Sequence, residues 1–316
     1  MSDETIELAL VGDVYVQRPD PDSTFAHAGK YLRAADIAFG NLETVVADLE
    51  HLDGSGHGPR TDEWMIGAYV NAGFKVMNLA NNPSMYRGVK GLQRTMDVLD
   101  KAGIAYGGGG KNLQEARRPA VVERKGVKVA FVCRTSVCTI DAAATALRAG
   151  LAVVRVATAY EAPPLLPKEV PGAPPIIHTI PNAADVEALR QDISAAKDGA
   201  DVVVVSWHWG ISPYSGGKGE LVGYQKEIAH LAVRVGMGPA HEAAADESDA
   251  KFLHNVMFCG DRESLCFSRS KRKEGRQGAP TSEPGAGTRR CINASARKPA
   301  LRLKRSPGRT SRASRS

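Results

Sequence analysis

Over its first 135 residues the chain alternates between two hydrophobic periods. Residues 6–11, Ile-Glu-Leu-Ala-Leu-Val, read as a strand ending at Gly12-Asp13. Phe25 to Arg33 has helical spacing, and the short apolar run Ile37-Ala38-Phe39 ends at Gly40-Asn41. Residues 62–71 read as a helix with Asp62 as its N-cap. Val76 to Ala80 is a third buried strand, closed by Asn81-Asn82-Pro83. From Leu92 to Ala102 the pattern is amphipathic: Leu92, Met96 and Leu99 recur on one face, and Gly103 stops the helix. Two runs, 120–122 and 127–132, flank Glu123-Arg124-Lys125-Gly126 and predict a hairpin. Strands alternating with helices predict an α/β fold with a largely parallel sheet.

Residues 161–181 are proline-rich and fit neither a regular helix nor a central strand; they read as a loop or surface insertion. A helix is expected over 183–196. Residues 201–210, Asp-Val-Val-Val-Val-Ser-Trp-His-Trp-Gly, have the continuous β-branched run of a strand buried on both faces. Another amphipathic helix spans 221–235. Past 235 the period is lost, although 252–258 is a single apolar run that reads as a strand. From about Arg269 the chain is rich in Arg, Ser, Gly and Pro, with too few large apolar residues to offset its chain entropy, so disorder is expected. The organisation predicted is a domain over 1–235, a degenerate continuation over 236–266 and a disordered basic tail over 267–316.

Charge follows the same division. The whole chain of 316 residues carries +6, but residues 267–316 hold 11 Arg and 4 Lys against Glu274 and Glu283. The tail is therefore +13 and the remainder −7, so the basic balance says nothing about the folded part. No aromatic residue follows Phe267. Without a stacking platform, charges such as Arg289, Arg290, Arg302 and Arg305 read as a solvated tail, and nucleic acid is not an expected partner. The five cysteines (Cys133, Cys138, Cys259, Cys266 and Cys291) have no zinc-knuckle spacing. No apolar stretch approaches the roughly 20 residues of a membrane span, and the acidic start does not read as a secretion signal. A cytoplasmic location with reduced thiols is expected.

Chemistry is expected where parallel strands end. Those ends carry Asp13, then Asn41 and Glu43, then Asn81 and Asn82, then His208. Carboxylate, amide and imidazole are the ligands that divalent metals take. Singly, Asp13 reads as a cap or loop residue, and His208 between Trp207 and Trp209 as a packed core histidine. Four such positions in register point instead to a shared metal site. The glycines at 107–110 do not make a dinucleotide-binding loop, because Asn112 and Leu113 stand where G-x-G-x-x-G needs glycine. They read as a tight strand-to-helix turn.

Five motifs, in order, carry a family resemblance: residues 11–14 (Val-Gly-Asp-Val), 35–43 (Ala-Asp-Ile-Ala-Phe-Gly-Asn-Leu-Glu), 78–82 (Asn-Leu-Ala-Asn-Asn), 107–119 (Gly-Gly-Gly-Gly-Lys-Asn-Leu-Gln-Glu-Ala-Arg-Arg-Pro) and 208–210 (His-Trp-Gly). Over about Ile6 to Val235 the chain resembles the poly-gamma-glutamate capsule-biosynthesis (CapA-type) family, a branch of the calcineurin-like metallophosphoesterase superfamily. The resemblance implies a layered α/β/β/α sandwich and a metal-dependent, phosphoesterase-like hydrolase. It implies one or two divalent ions (Mn, Fe or Zn), an anionic small-molecule or polymer substrate, and capsule-synthesis partner proteins. Asp13 would be the first-metal aspartate, Glu43 the bridging carboxylate, Asn82 the amide ligand and His208 an imidazole ligand. Asn41 and Asn81 would orient ligands or substrate.

The chain departs from the family twice. Pro83 stands where the family has the histidine expected to protonate the leaving group, so the catalytic acid is unassigned; His57 and Lys90 are possible substitutes. Pro83 is expected to hold Asn82 in an extended turn. The family's final Gly-His-x-Pro-His motif is reduced to an echo over 235–241, in which His241 is a candidate ligand. Arg60 could contact an anion or simply face solvent. The loss of pattern after Val235 suggests an altered frame or truncation, with an unfinished sheet and an open edge. The alternative function is a non-catalytic scaffold component of a capsule or polymer assembly machine.

Overall fold

The computed structural model describes residues 5–54, 56–162, 174–211 and 221–237, and three further strands at 256–259, 265–267 and 300–304. Strands β1 (Thr5–Val14), β2 (Ile37–Leu42), β5 (Phe74–Asn78) and β6 (Ala105–Gly107) lie parallel in one sheet. In a second sheet β9 (Val127–Thr135) and β13 (Val202–His208) are parallel, and β8 (Ala120–Arg124) pairs antiparallel with β9 as the expected hairpin. Short strands β3 (Val45–Val46) and β4 (Arg60–Thr61) pair beside the first sheet, and β7 (Gly109–Gly110) pairs with β10 (Gly150–Leu151).

Alternation along the strands builds the layers. Leu8, Leu10, Ile37, Phe39 and Val76 of the first sheet pack against Val129, Phe131, Cys133, Val202 and Val204 of the second. The opposite face of the first sheet, with Ala9, Ala38 and Met77, receives α1 (Gly29–Ala34), α2 (Ile66–Ala72) and α3 (Gly88–Ala102) through Leu32, Tyr69, Leu92, Met96 and Leu99. The outer face of the second sheet, with Val203, Val205 and Trp207, receives α5 (Ala183–Gly199) and α6 (Gly223–Met237) through Leu189, Ile193, Ile228 and Ala232. The short α4 (Leu113–Arg117) follows the glycine run, its first turn capped by the Asn112 side chain. This is the expected α/β/β/α sandwich.

Several elements differ from expectation in extent. Residues 25–33 are not one helix: Pro21–Phe25 is a 3-10 turn, and only Gly29–Ala34 is α-helical. Asp62 caps a 3-10 turn, Glu63–Met65, rather than the helix, and makes no side-chain cap bond. Its carboxylate is taken by Arg60, which also donates to the Ala47 carbonyl, so Arg60 braces its own loop. The proline-rich stretch is not all loop: its last six residues form β12 (Ile176–Pro181), which pairs with β11 (Val156–Glu161) in a two-stranded ribbon outside both main sheets.

Strand pairing continues past 235. β14 (Val256–Cys259) is antiparallel to β13 and overlaps the end of the run 252–258 read as a strand. Five residues of the stretch expected to be disordered form β16 (Ala300–Lys304), which pairs antiparallel with β1 and with β15 (Leu265–Phe267). In place of the expected unfinished sheet with an open edge, the first sheet extends past β1 through β16 and β15. The signal was a two-residue period, Leu301 and Leu303 alternating with Arg302 and Lys304, which overall composition conceals. The rest of 267–316 lies outside the described residues.

Glu63 ties this half together. Its carboxylate accepts two hydrogen bonds from Arg94 of α3, at 2.6 and 2.5 Å, and one from the Asp48 N–H at 3.2 Å, with His51 Nδ1 at 2.5 Å. Arg94 holds the Glu63 carboxyl down to about 2, against the effect of burial. A depressed carboxyl stabilises the fold above its unfolded pKa, about 4.3, and that contribution is lost as pH falls towards the folded value. Glu63→Gln should therefore lower the melting temperature at pH 7 by about 2–4 °C, the shift that about 1 kcal/mol produces. The gap from wild type should close between about pH 4 and pH 2. A gap independent of pH would assign the effect to packing.

Candidate metal centre

Pleating decides which strand-end residues meet. On β13, Val202 and Val204 face the other sheet while Val203, Val205 and Trp207 face the helices, so His208 falls on the inter-sheet side. On β2 the same parity runs Ile37, Phe39, Asn41. On β1 it would fail: Leu8 and Leu10 face the second sheet, and simple alternation would turn Asp13 towards the helices. The β1–β2 register shifts between Leu10 and Asp13, so that Leu10 pairs Phe39 and Asp13 pairs Asn41. The extra residue in β1 flips the parity and aims Asp13 into the cleft between the sheets.

The side chains form a continuous network. The Ser84 N–H and Oγ donate to Asn81 Oδ1 at 3.2 and 2.7 Å. This fixes the Asn81 amide, whose Nδ2 donates to the Leu42 carbonyl and to Asn41 Oδ1, both at 2.9 Å. Asn41 in turn presents Nδ2 to Asp13 Oδ1 at 2.7 Å and to His208 Nδ1 at 3.2 Å. The other ring nitrogen, Nε2, lies 2.8 Å from Asn82 Oδ1. Each ring nitrogen also has a carboxylate oxygen at 3.7 Å, Asp13 from Nδ1 and Glu43 from Nε2. The Glu43 N–H donates to the Val14 carbonyl, which seats it beside the end of β1.

The electrostatics suit a cation. One ligand atom each from Asp13, Glu43 and His208 lie within 4.8 Å of one another. Burial pushes the Glu43 carboxyl up to about 7, and the adjacent Asp13 charge adds to this. Burial also raises Asp13, but the neighbouring His208 ring and the hydrogen bond from Asn41 outweigh it and leave Asp13 below the usual carboxylate range. Two carboxylates this close oppose each other's ionisation, and a bound cation removes that conflict. Two carboxylates, an imidazole and an amide oxygen are donors that a divalent metal takes.

All six strand-end residues, Asp13, Asn41, Glu43, Asn81, Asn82 and His208, are brought to this cleft. His208 is not a core histidine, since Trp207 occupies the helix side and donates Nε1 to Ser136 Oγ at 2.7 Å. Asn82 is not extended: at φ −64°, ψ −43° it leads directly into the 3-10 turn Pro83–Met85, wound by the Ser84–Asn81 hydrogen bonds. Lys90 lies 3.7 Å from Asp53, whereas the His57 ring stacks on Tyr86 at 4.9 Å. His241 lies outside the described residues. Sequence reasoning missed Asn78, whose Nδ2 reaches Ser206 Oγ of the second sheet at 3.4 Å, and Tyr86, whose hydroxyl accepts from Asn82 Nδ2 at 2.8 Å. The period of the strand could have found Asn78, which follows Val76 on the cleft face. Nothing in the local pattern marks Tyr86. A second group, Asp48, Glu50 and His51, also has metal-ligand spacing, but Asp48 and His51 are engaged by Glu63. The Cys133 and Cys138 thiols are unpaired, and burial pushes them up to about 12 and about 11, consistent with inert packing.

An α/β/β/α sandwich whose parallel strands end in carboxylate, amide and imidazole groups defines the metallophosphoesterase-like class. The chain belongs to the bacterial capsule synthesis protein family PGA_cap, whose pattern matches residues 7–238. It is 29% identical over 224 residues to the capsule biosynthesis protein CapA of Bacillus anthracis, covering 66% of this chain and 47% of that protein. It is 28% identical over 221 residues to the PGA biosynthesis protein CapA of Bacillus subtilis (strain 168), covering 66% and 50%. A protein of Sinorhizobium fredii, the uncharacterized protein y4sH, is 34% identical over 139 residues, 41% of this chain and 30% of that one. The chain thus spans about half the length of the two CapA proteins it matches. Among the described residues no helix is long and apolar enough to cross a membrane.

Proposed function

We propose that Asp13, Glu43, Asn82 and His208 hold one or two divalent cations, and that the protein is a metal-dependent, phosphoesterase-like hydrolase acting on an anionic substrate in capsule biosynthesis. The observation that carries this reading is the convergence, from four separate strand ends, of two carboxylates, an imidazole and an amide oxygen. Bound there, a divalent metal supplies Lewis acidity and lowers the pKa of a coordinated water. Asn41 holds the Asp13 carboxylate and the His208 ring in place, and Asn81 locks the Asn41 amide so that its NH2 faces both. Proton delivery to a leaving group needs an acid outside the ligand set, and Pro83 has none. Of the two substitutes, Lys90 is drawn towards Asp53, while His57 rests on Tyr86, one hydrogen bond from Asn82.

Pro83 also favours the second reading, a scaffold that keeps the fold without turnover. Metal analysis of the purified protein, with hydrolysis of bis(p-nitrophenyl) phosphate in added Mn2+, separates the two. Roughly one or two bound metals per chain with turnover supports the hydrolase. Metal without turnover supports the scaffold, and absence of metal overturns the site. Pro83→His should raise hydrolysis of a poor-leaving-group phosphodiester by about 100-fold or more if the missing acid limits the rate. An unchanged rate would argue for the scaffold.

A further inference from the structure

We propose that Tyr86 is the positioning residue that orients Asn82 for metal binding, and that the loop Gly56-His57-Gly58 is built to brace Tyr86. The inference rests on the metal-site reading above and extends it to residues outside the ligand cluster.

An asparagine amide can offer a cation only its oxygen. If it turns over, the NH2 group faces the cation and binding is lost. Two contacts set the Asn82 amide: Oδ1 lies 2.8 Å from His208 Nε2, and Nδ2 donates to the Tyr86 hydroxyl at 2.8 Å. The first partner belongs to the ligand cluster itself. Tyr86 lies outside it, so its hydroxyl can hold the NH2 group away from the cluster while Oδ1 is engaged there. Asn81 is locked through Ser84 and the Leu42 carbonyl and holds Asn41 in turn, whereas Asn82 has only side-chain partners in this network among the described residues.

The loop against Tyr86 fits this role. The His57 ring stacks on the Tyr86 ring with centroids 4.9 Å apart and planes 19° apart. The His57 N–H donates to the Tyr86 carbonyl at 3.2 Å. Gly56 and Gly58, on either side, have φ of +86° and +88°, in the region that favours glycine. A Cβ on Gly56 would stand 2.0 Å from the Tyr86 carbonyl oxygen, and one on Gly58 would stand 2.4 Å from Tyr86 Cδ2. Only glycine lets the chain press this closely against both the backbone and the ring of Tyr86.

The test is a double-mutant cycle read as Mn2+ affinity, with free Mn2+ followed by its electron paramagnetic resonance signal on metal-stripped protein. Tyr86→Phe, which keeps the ring and removes the hydroxyl, should weaken binding by about 10- to 100-fold. In an Asn82→Asp background the ligand has two equivalent oxygens and no wrong orientation, so Tyr86→Phe should change affinity by no more than about twofold. Gly58→Ala should weaken binding in the same background-dependent way by displacing the ring. A loss of equal size in both backgrounds, or no loss in either, overturns the proposal. Wild-type protein that binds no Mn2+ sinks the metal-site reading as well, whereas wild-type binding matched by Tyr86→Phe sinks the positioning role alone.

Discussion

Asp13→Ala and His208→Ala should each abolish stable metal retention while leaving the protein folded. Outer partners of metal ligands typically account for about 10- to 100-fold in affinity, so loss of a ligand itself should exceed about 100-fold. The fold should survive because the Asp13 side chain is 42% exposed and lies at the very end of β1, past the packed positions Leu8 and Leu10. His208→Ala leaves Asn41 its bond to Asp13 and leaves Trp207, the neighbour that anchors β13 to the helix layer, untouched. Metal content after dialysis, with circular dichroism alongside, reads both halves of the expectation. Wild-type metal content in both variants would show that the cluster is not the binding site.

Phe39→Ala should remove a large share of the protein's stability. Phe39 of β2 and Phe131 of β9 are both fully buried between the sheets, their rings stacked at 5.0 Å and 6° apart. Truncating such a side chain costs about 3–5 kcal/mol through lost burial and the cavity left behind. Domains of this kind have about 5–15 kcal/mol in all. The functional consequence follows from where the ligands come from: Asp13 and Asn41 stand on the first sheet and His208 on the second. Their meeting depends on the inter-sheet packing that Phe39 and Phe131 provide. A large drop in the urea midpoint for Phe39→Ala is expected, together with weakened Mn2+ binding. Val121→Ala, at a 53% exposed position on β8, should stay within about 0.5 kcal/mol of wild type. Equal effects of the two substitutions would mean that the sheet interface does not carry the stability.

Much of the fold could be read in advance because burial is periodic. The valine run of β13, the alternation in β1 and the Leu92-Met96-Leu99 stripe of α3 each state their own geometry. Local competition hid other elements. Asp62 looked like a helix cap, but the Arg60 guanidinium claims its carboxylate and a 3-10 turn intervenes. The β16 strand was masked because composition averaged over a basic segment swamps a five-residue alternation that takes its place by pairing with β1.

The amino-acid sequence alone determined the class of fold, the strand ends that carry polar chemistry and the family to which the chain belongs, because each depends on residue type and short-range order. Tertiary structure decided the rest. The register shift in β1 turns Asp13 into the cleft, the two-sheet packing carries His208 across to meet it, and the Gly56–Gly58 loop places Tyr86 behind Asn82. These are relations between segments from 26 to 195 positions apart along the chain, such as Asn82 with Gly56 and Asp13 with His208, set by backbone pairing and close packing that no local pattern encodes.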